Sequence, residues 1–383
     1  MHHFQLSGDR DWLQSVYPSI RKGAAWIRAA TAQTRILMEN GERPIFYGLI
    51  PSAEGEAIGV GYNYYHDYFA LLGLKMAIHA VTSLNEEQDV KWMTETCDTL
   101  HANLLASVRV AFERVGLGKY IPATPFHPAT QFELWGTMAA LYPTRFLEPN
   151  DPMVSRTLEF VSQNFQEDVY GYFTAKKIFP YITADFAMCY LLRDDLSMFL
   201  RLYDGYVAHA SSTNGWVEET FLESRLGTGD MPHGWAAAQY VHMHRNSLVF
   251  EDEDALHLCW GARDEWFSNG IAVKRAPTRF GTIDFELHRK GVVLEVNYRL
   301  VHGANQDVCR NLQLHIPPSA HRTTSIRVNG ATRPLSPDQR VIQLEPARAV
   351  ALRSSIRPCS RAANSSTKTR TFAGRKRADG KTA

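Results

Sequence analysis

The spacing of apolar residues changes once along this 383-residue chain, near Glu251, and that change dictates what the chain can fold into. From about Asp9 to Phe250, apolar side chains recur at helical intervals while Pro and Gly fall mostly between the periodic segments, which predicts helices in series. Trp12, Val16, Ile20, Ala24 and Ile27 make one stripe, and Tyr64, Ala70, Leu71, Leu74, Ala77, Ile78 and Val81 make a second. Further helices are expected near 86–115, 129–142, 151–165, 182–193, 195–210 and 232–249, about eight in all. Beyond Glu251 the period falls to two. Ile283, Phe285 and Leu287 alternate with polar residues, and Val292, Leu294 and Val296 do so after the turn at Lys290 and Gly291, which is a hairpin pattern. Strands at 311–316, at 325–328 before Asn329 and Gly330, and at 340–352 complete a small antiparallel domain. The expectation is a mainly α chain with a C-terminal β domain: helices over 1–252, a β-sandwich-like unit over 253–353, and a disordered tail over 354–383. In that tail eight Lys or Arg accompany one acidic residue among Ser, Thr, Ala and Gly.

Composition removes several function classes. With 45% hydrophobic residues and 27 Phe plus Trp, there is material for a large core, so wholesale disorder is excluded. Basic and acidic residues number 41 and 40, leaving no global field to draw a nucleic acid, and the basic tail carries a single aromatic, Phe372, and no motif, so no nucleic-acid partner is expected. The five cysteines are scattered, with no CxxC pair and no Cys/His cluster at ligand spacing; no disulfide framework, metal site or cofactor is expected. No apolar run is long enough to span a bilayer and the first thirty residues do not read as a signal peptide, so no membrane partner is expected and the chain is placed in the cytoplasm. Phosphate loops, HExxH and GxSxG are absent.

Three loop clusters carry the candidate chemistry. The first joins Gly48 to Pro51 (GLIP) with Gly61 to Phe69 (GYNYYHDYF), where Tyr62, Tyr64, His66 and Asp67 crowd the approach to a helix. Aromatic faces stack on pyranose rings and a carboxylate accepts hydrogen bonds from vicinal hydroxyls, so the mixture suits a sugar; the same residues can equally pack a helix start, with Asp67 favoured there by the helix dipole. The second is Asn214 to Thr220 (NGWVEET), with Trp216 two residues before Glu218 and three before Glu219. Adjacent residues point in different directions, so one glutamate is expected to face a cavity and the other solvent, and spacing does not choose between them. The third, Gly229 to Tyr240 (GDMPHGWAAAQY), sets His233 and Trp235 on the first turn of a helix; His242 and His244 are two apart and cannot share a helical face, which argues against a metal.

Together these segments resemble the six-hairpin glycosidases, whose catalytic domain is an (α/α)6 barrel often accompanied by β-sandwich modules. The likeness runs over roughly residues 10–300. It is carried by WLQSVYPSIRKGAAWI from Trp12, GLIP from Gly48, YNYYHDYFALLGL from Tyr62, WVEE from Trp216, MPHGWAAAQY from Met231 and APTRFG from Ala276, and above all by their order. The resemblance implies a general base in the Trp-x-Glu loop, at Glu218 with Glu219 as competitor. It implies that Tyr62, Tyr64 and Asp67 hold the sugar, Asp67 binding hydroxyls rather than protonating the leaving oxygen. It also implies an incomplete barrel, since twelve helices are needed and about eight are present; the missing part is expected at the N-terminus, and the general acid with it unless Asp67 or Glu133 serves.

The expected activity is inverting hydrolysis of a glycoside or oligosaccharide, with Tyr62, Tyr64, His66, Trp216, His233 and Trp235 lining the site and the two working carboxyls about 6.5–9.5 Å apart. Two rival readings stand beside it. One is a polysaccharide lyase that uses Tyr65, His66, His233 and Arg225; the other is a carbohydrate-binding protein without turnover. Substrate identity and oligomeric state are not legible.

Overall fold

The computed structural model describes residues 1–55, 59–128, 133–172, 176–317, 323–336 and 338–346, which fall within a single compact unit over Met1–Arg348. The expected tail, 354–383, lies outside the described residues.

Helices occupy the predicted segments. After a short α1 (His2–Ser7) come α2 (Arg10–Gln33), α3 (Tyr64–Leu84), α4 (Glu87–Arg114), a 3-10 helix (Glu133–Ala140), α5 (Pro152–Ser162), α6 (Pro180–Leu192), α7 (Leu196–Ala208), α8 (Gly234–Leu248) and a short α9 (Asp264–Asn269). Side chains start them where the first turn leaves backbone N–H groups unpaired. Asp9 accepts from Trp12 N, Asn63 from Tyr65 N, Asp151 from Met153 N and Asp195 from Met198 N. Pro152 and Pro180 sit at first-turn positions, where a missing N–H costs nothing. The segment expected as a helix over 129–142 is a 3-10 turn in its described part, not an α-helix.

Packing orders these helices into two ranks. The row α3, 3-10 helix, α6, α8 forms one rank, each member touching the next, with its α8 end largely exposed. Against it lie α2 and α4 on α3, α5 on the 3-10 helix and α7 on α6. Successive helices therefore alternate between outer and inner rank as far as α8. The sequence of α6, PYITADFAMCYLL, explains its central place: a helix apolar all round has no face to give to water. Every residue of α6 is buried except Asp185.

Short strands join the loops that lead into the inner helices. β1 (Ala53–Gly55) and β2 (Gly59–Gly61) form a ribbon before α3. β3 (Phe165–Gln166), β4 (Val169–Tyr172) and β5 (Lys177–Ile178) precede α6, while β6 (Glu219–Phe221) and β7 (Gly227–Thr228) precede α8. These five make one sheet in chain order, because β5 pairs antiparallel with β6 through Lys177 opposite Phe221 and Ile178 opposite Thr220. The loop before α6 is thus tied to the loop before α8.

The β region begins at Val249, slightly earlier than expected. One sheet, in the order β16-β13-β9-β8, contains β8 (Val249–Asp252), β9 (Ala255–Leu258), β13 (Asn311–His315) and β16 (Val341–Leu344). The other, β10-β11-β12-β14-β15, contains β10 (Ile271–Thr278), β11 (Gly281–Lys290), β12 (Val293–Val301), β14 (Ser325–Val328) and β15 (Ala331–Pro334). Ile283, Phe285 and Leu287 of β11 and Leu294 and Val296 of β12 face inward, where they meet Leu256, Leu258, Leu312 and Leu314 of the first sheet in a common core. The expectation of a purely antiparallel domain is corrected by two pairings: β12 with β14 and β9 with β13 are parallel. In both, the chain leaves one end of its strand, visits the other sheet and re-enters at the opposite end, a crossover that period-two patterning does not reveal.

Candidate active site

Trp216 anchors the second and third clusters to each other. It is buried, its Nε1 donates to Tyr206 O at 2.9 Å, and its ring lies 5.2 Å from Tyr206 and 5.1 Å from Tyr240. Its own carbonyl accepts from His233 N at 2.7 Å, so the Trp-Val-Glu-Glu loop is bonded directly to the residue that begins α8. From there His233 and Trp235 project towards α6: Tyr181 lies 4.7 Å from each ring. Trp235 keeps 37% of its surface exposed. The His233 Nδ1 is buried and has no hydrogen-bond partner among the described residues.

The two glutamates have different surroundings. Glu219 Oε2 is held by Lys177 Nζ at 2.6 Å, with both side chains 22% exposed, and the same ammonium lies 4.6 Å from the Phe221 ring. Glu218 makes no ion pair among the described residues. Its carboxylate Oε2 accepts from Asp230 N at 3.3 Å and its backbone N donates to Asp230 O at 3.1 Å. Gly229, at φ +77°, lies so close that a Cβ there would overlap the Glu218 carboxylate. Only glycine adopts that backbone without cost and leaves room for the carboxylate.

The first cluster behaves otherwise. Tyr62 stacks on Phe46 at 4.8 Å and meets the edge of Phe126 at 5.8 Å, a trio whose Phe126 is exposed. His66 is half-buried, and burial lowers its pKa. Tyr64 and Asp67 lie inside the helix core: the Tyr64 hydroxyl is 2.7 Å from Ser107 Oγ, and Asp67, only 1% exposed, accepts from Ile50 N at 2.8 Å. Both side chains, expected to hold a sugar, are thus buried among protein groups. Burial drives the Asp67 pKa up to about 8 against the single backbone hydrogen bond that favours the charge. The Glu133 side chain lies outside what is described.

Sequence patterning passes over three residues that the structure brings to this place. Tyr181 and Asp185 are one turn apart on α6, and Trp235 and Gln239 one turn apart on α8. The two helices meet in two layers, Tyr181 against Trp235 and below them Asp185, whose Oδ1 accepts from Gln239 Nε2 at 2.7 Å. Burial raises the Asp185 pKa to about 7, the hydrogen bond from Gln239 opposing it. The one signal available was a single acidic residue in an otherwise apolar helix.

Among the described residues no group of three or more His, Cys, Asp or Glu is placed to hold a metal ion, and no helix is long and apolar enough to cross a membrane. Neither a family model nor a curated protein matches the chain. Solved structures that match include one titled as a wild-type glycosidase, 12% identical, covering 48% of this chain and 51% of that one with a TM-score of 0.39. Two variant glycosidase structures cover 58% of this chain and 65% of theirs at a TM-score of 0.41, one 12% identical and the other, in complex with glucose, 11% identical. The chain therefore spans between about half and two thirds of the length of these structures. At such distances the chemistry has to be derived from the side chains themselves.

Proposed function

We propose that the protein is a glycoside hydrolase that works by inversion, with Glu218 as the general base. The observation that carries this reading is the contrast between neighbouring glutamates. Glu219 is neutralised by Lys177, whereas Glu218, two residues from a buried tryptophan and bonded into the loop that opens α8, has no cation paired with it among the described residues and can take a proton from water. Tyr181, His233 and Trp235 supply the aromatic surface on which a pyranose ring can lie, with the exposed part of Trp235 as its platform. In the step itself, water attacks the anomeric carbon while its proton passes to Glu218, and a second carboxyl protonates the departing oxygen from the opposite side.

The lyase reading loses its cation. Both Arg225 guanidinium nitrogens bond Glu167 at 2.7 Å, so a uronate carboxylate would have to displace an existing bidentate pair. The test is hydrolysis of a panel of α- and β-linked disaccharides of glucose, mannose, galactose and xylose, with the product anomer followed by proton NMR. The expected result is release of the inverted anomer, reduced about 100-fold or more in Glu218→Gln and far less in Glu219→Gln. Binding without turnover in the wild type would establish the carbohydrate-binding alternative. A product absorbing near 235 nm from a uronate polymer would establish the lyase.

A further inference from the structure

We propose that Asp185 is the second working carboxyl of this site, the acid that protonates the leaving oxygen opposite Glu218. The inference rests on the hydrolase reading above. Its basis is the surface of α6. In a helix whose other residues are all buried, Asp185 alone is only partly buried. Asp185 lies one helical turn along α6 from Tyr181, which meets Trp235, so a sugar on the aromatic platform has Asp185 within the next turn's reach.

The surroundings suit an acid. Among the described residues no Lys, Arg or His pairs with Asp185; its bonded neighbour is the neutral amide of Gln239, and Tyr142 and Tyr206 stand close enough for its charge to raise their pKa values. Tyr206 links the position to the base loop, because the Trp216 ring packs against it at a tilt and the Trp216 Nε1 donates to its carbonyl. Glu218 and Asp185 thus sit in contrasting settings, the former in a polar loop beside backbone N–H groups and the latter on an apolar helix, as a division into base and acid requires. The proton balance is complete. Asp185 gives its proton to the glycosidic oxygen as the carbon–oxygen bond breaks, water supplies hydroxyl to the anomeric carbon and a proton to Glu218, and solvent exchange restores both carboxyls.

The experiment compares two leaving groups. Disaccharides need a proton on the departing oxygen and glycosyl fluorides of the same sugars do not. Asp185→Asn is expected to lower kcat/KM for the disaccharide about 100-fold or more while changing the fluoride by less than about tenfold, and Glu218→Gln to lower both. Gln239→Leu removes a bond that favours the charged form, and is expected to move the alkaline limb of disaccharide hydrolysis upward; this arm reads the proposal even where Asp185→Asn does not fold. Equal loss on both substrates, no loss on either, or an unmoved limb in Gln239→Leu overturns the role of Asp185 while the hydrolase reading stands on Glu218→Gln. Absence of turnover by the wild type on every substrate overturns both.

Discussion

Replacing Asp67 with asparagine isolates the cost of burying a carboxyl at the head of α3. Folding moves this group from the ordinary value of 3.8 to about 8. Between those values the native chain holds a proton that the unfolded chain has released, so stability falls as pH rises, by about 1.4 kcal/mol per pH unit. From pH 4.5 to 7.5 the loss is about 4 kcal/mol from this residue alone, with the full contribution present below pH 3.8 and gone above about pH 8. Asp185 acts with the same sign up to about pH 7. Buried histidines act with the opposite sign below their ordinary value of 6.5: His66, His209, His244 and His257 are all shifted down, and His315 reaches about 3. These other groups are common to both proteins and cancel in the difference. In Asp67→Asn the amide oxygen can still accept from Ile50 N and the side chain carries no charge to desolvate, so the variant gains on the wild type as pH rises. Urea unfolding followed by tryptophan fluorescence between pH 4.5 and 8.5 measures the difference. Parallel stability curves for the two proteins would show that Asp67 does not titrate as its burial requires, and would refute the reasoning.

Three other outcomes follow from the same geometry. Gly229→Ala is expected to cost about 1–3 kcal/mol of stability, because its backbone lies in the left-handed region, and to lower hydrolysis about 100-fold by displacing the Glu218 carboxylate; parallel denaturation and kinetics check both. Trp216→Ala should cost about 3–5 kcal/mol in urea unfolding through the cavity left beside Tyr206 and Tyr240, and a loss under about 1 kcal/mol would contradict the packing described. Lys177→Met, by stranding Glu219, should cost about 1–2 kcal/mol, most of it recovered in the double variant with Glu219→Gln; strictly additive unfolding energies would mean that the pair is not coupled.

What could be read in advance followed from short-range rules. Helical spacing located α2 to α8 because an element that buries one face must repeat its apolar residues at its own period, and the alternation around Ile283 to Leu287 located β11 and β12 for the same reason. The strands β3 to β7 escaped notice because two to four residues are too few to show a period. The 3-10 helix escaped because its apolar composition is equally compatible with an α-helix.

The candidate site divides the same way. The nature of its groups, a tryptophan before two glutamates and a His-Gly-Trp helix start, is written in the chain from Asn214 to Tyr240. Which glutamate is paired with a cation was decided by Lys177, more than forty residues away and brought alongside by the β5–β6 pairing. That Tyr64 and Asp67 turn into the core while Asp185 is only partly buried was decided by which faces of α3 and α6 their neighbours cover. Periodicity records that a face is buried. It does not record what comes to lie against it, since desolvation and ion pairing depend on residues distant in the chain, and only the packed structure sets those distances.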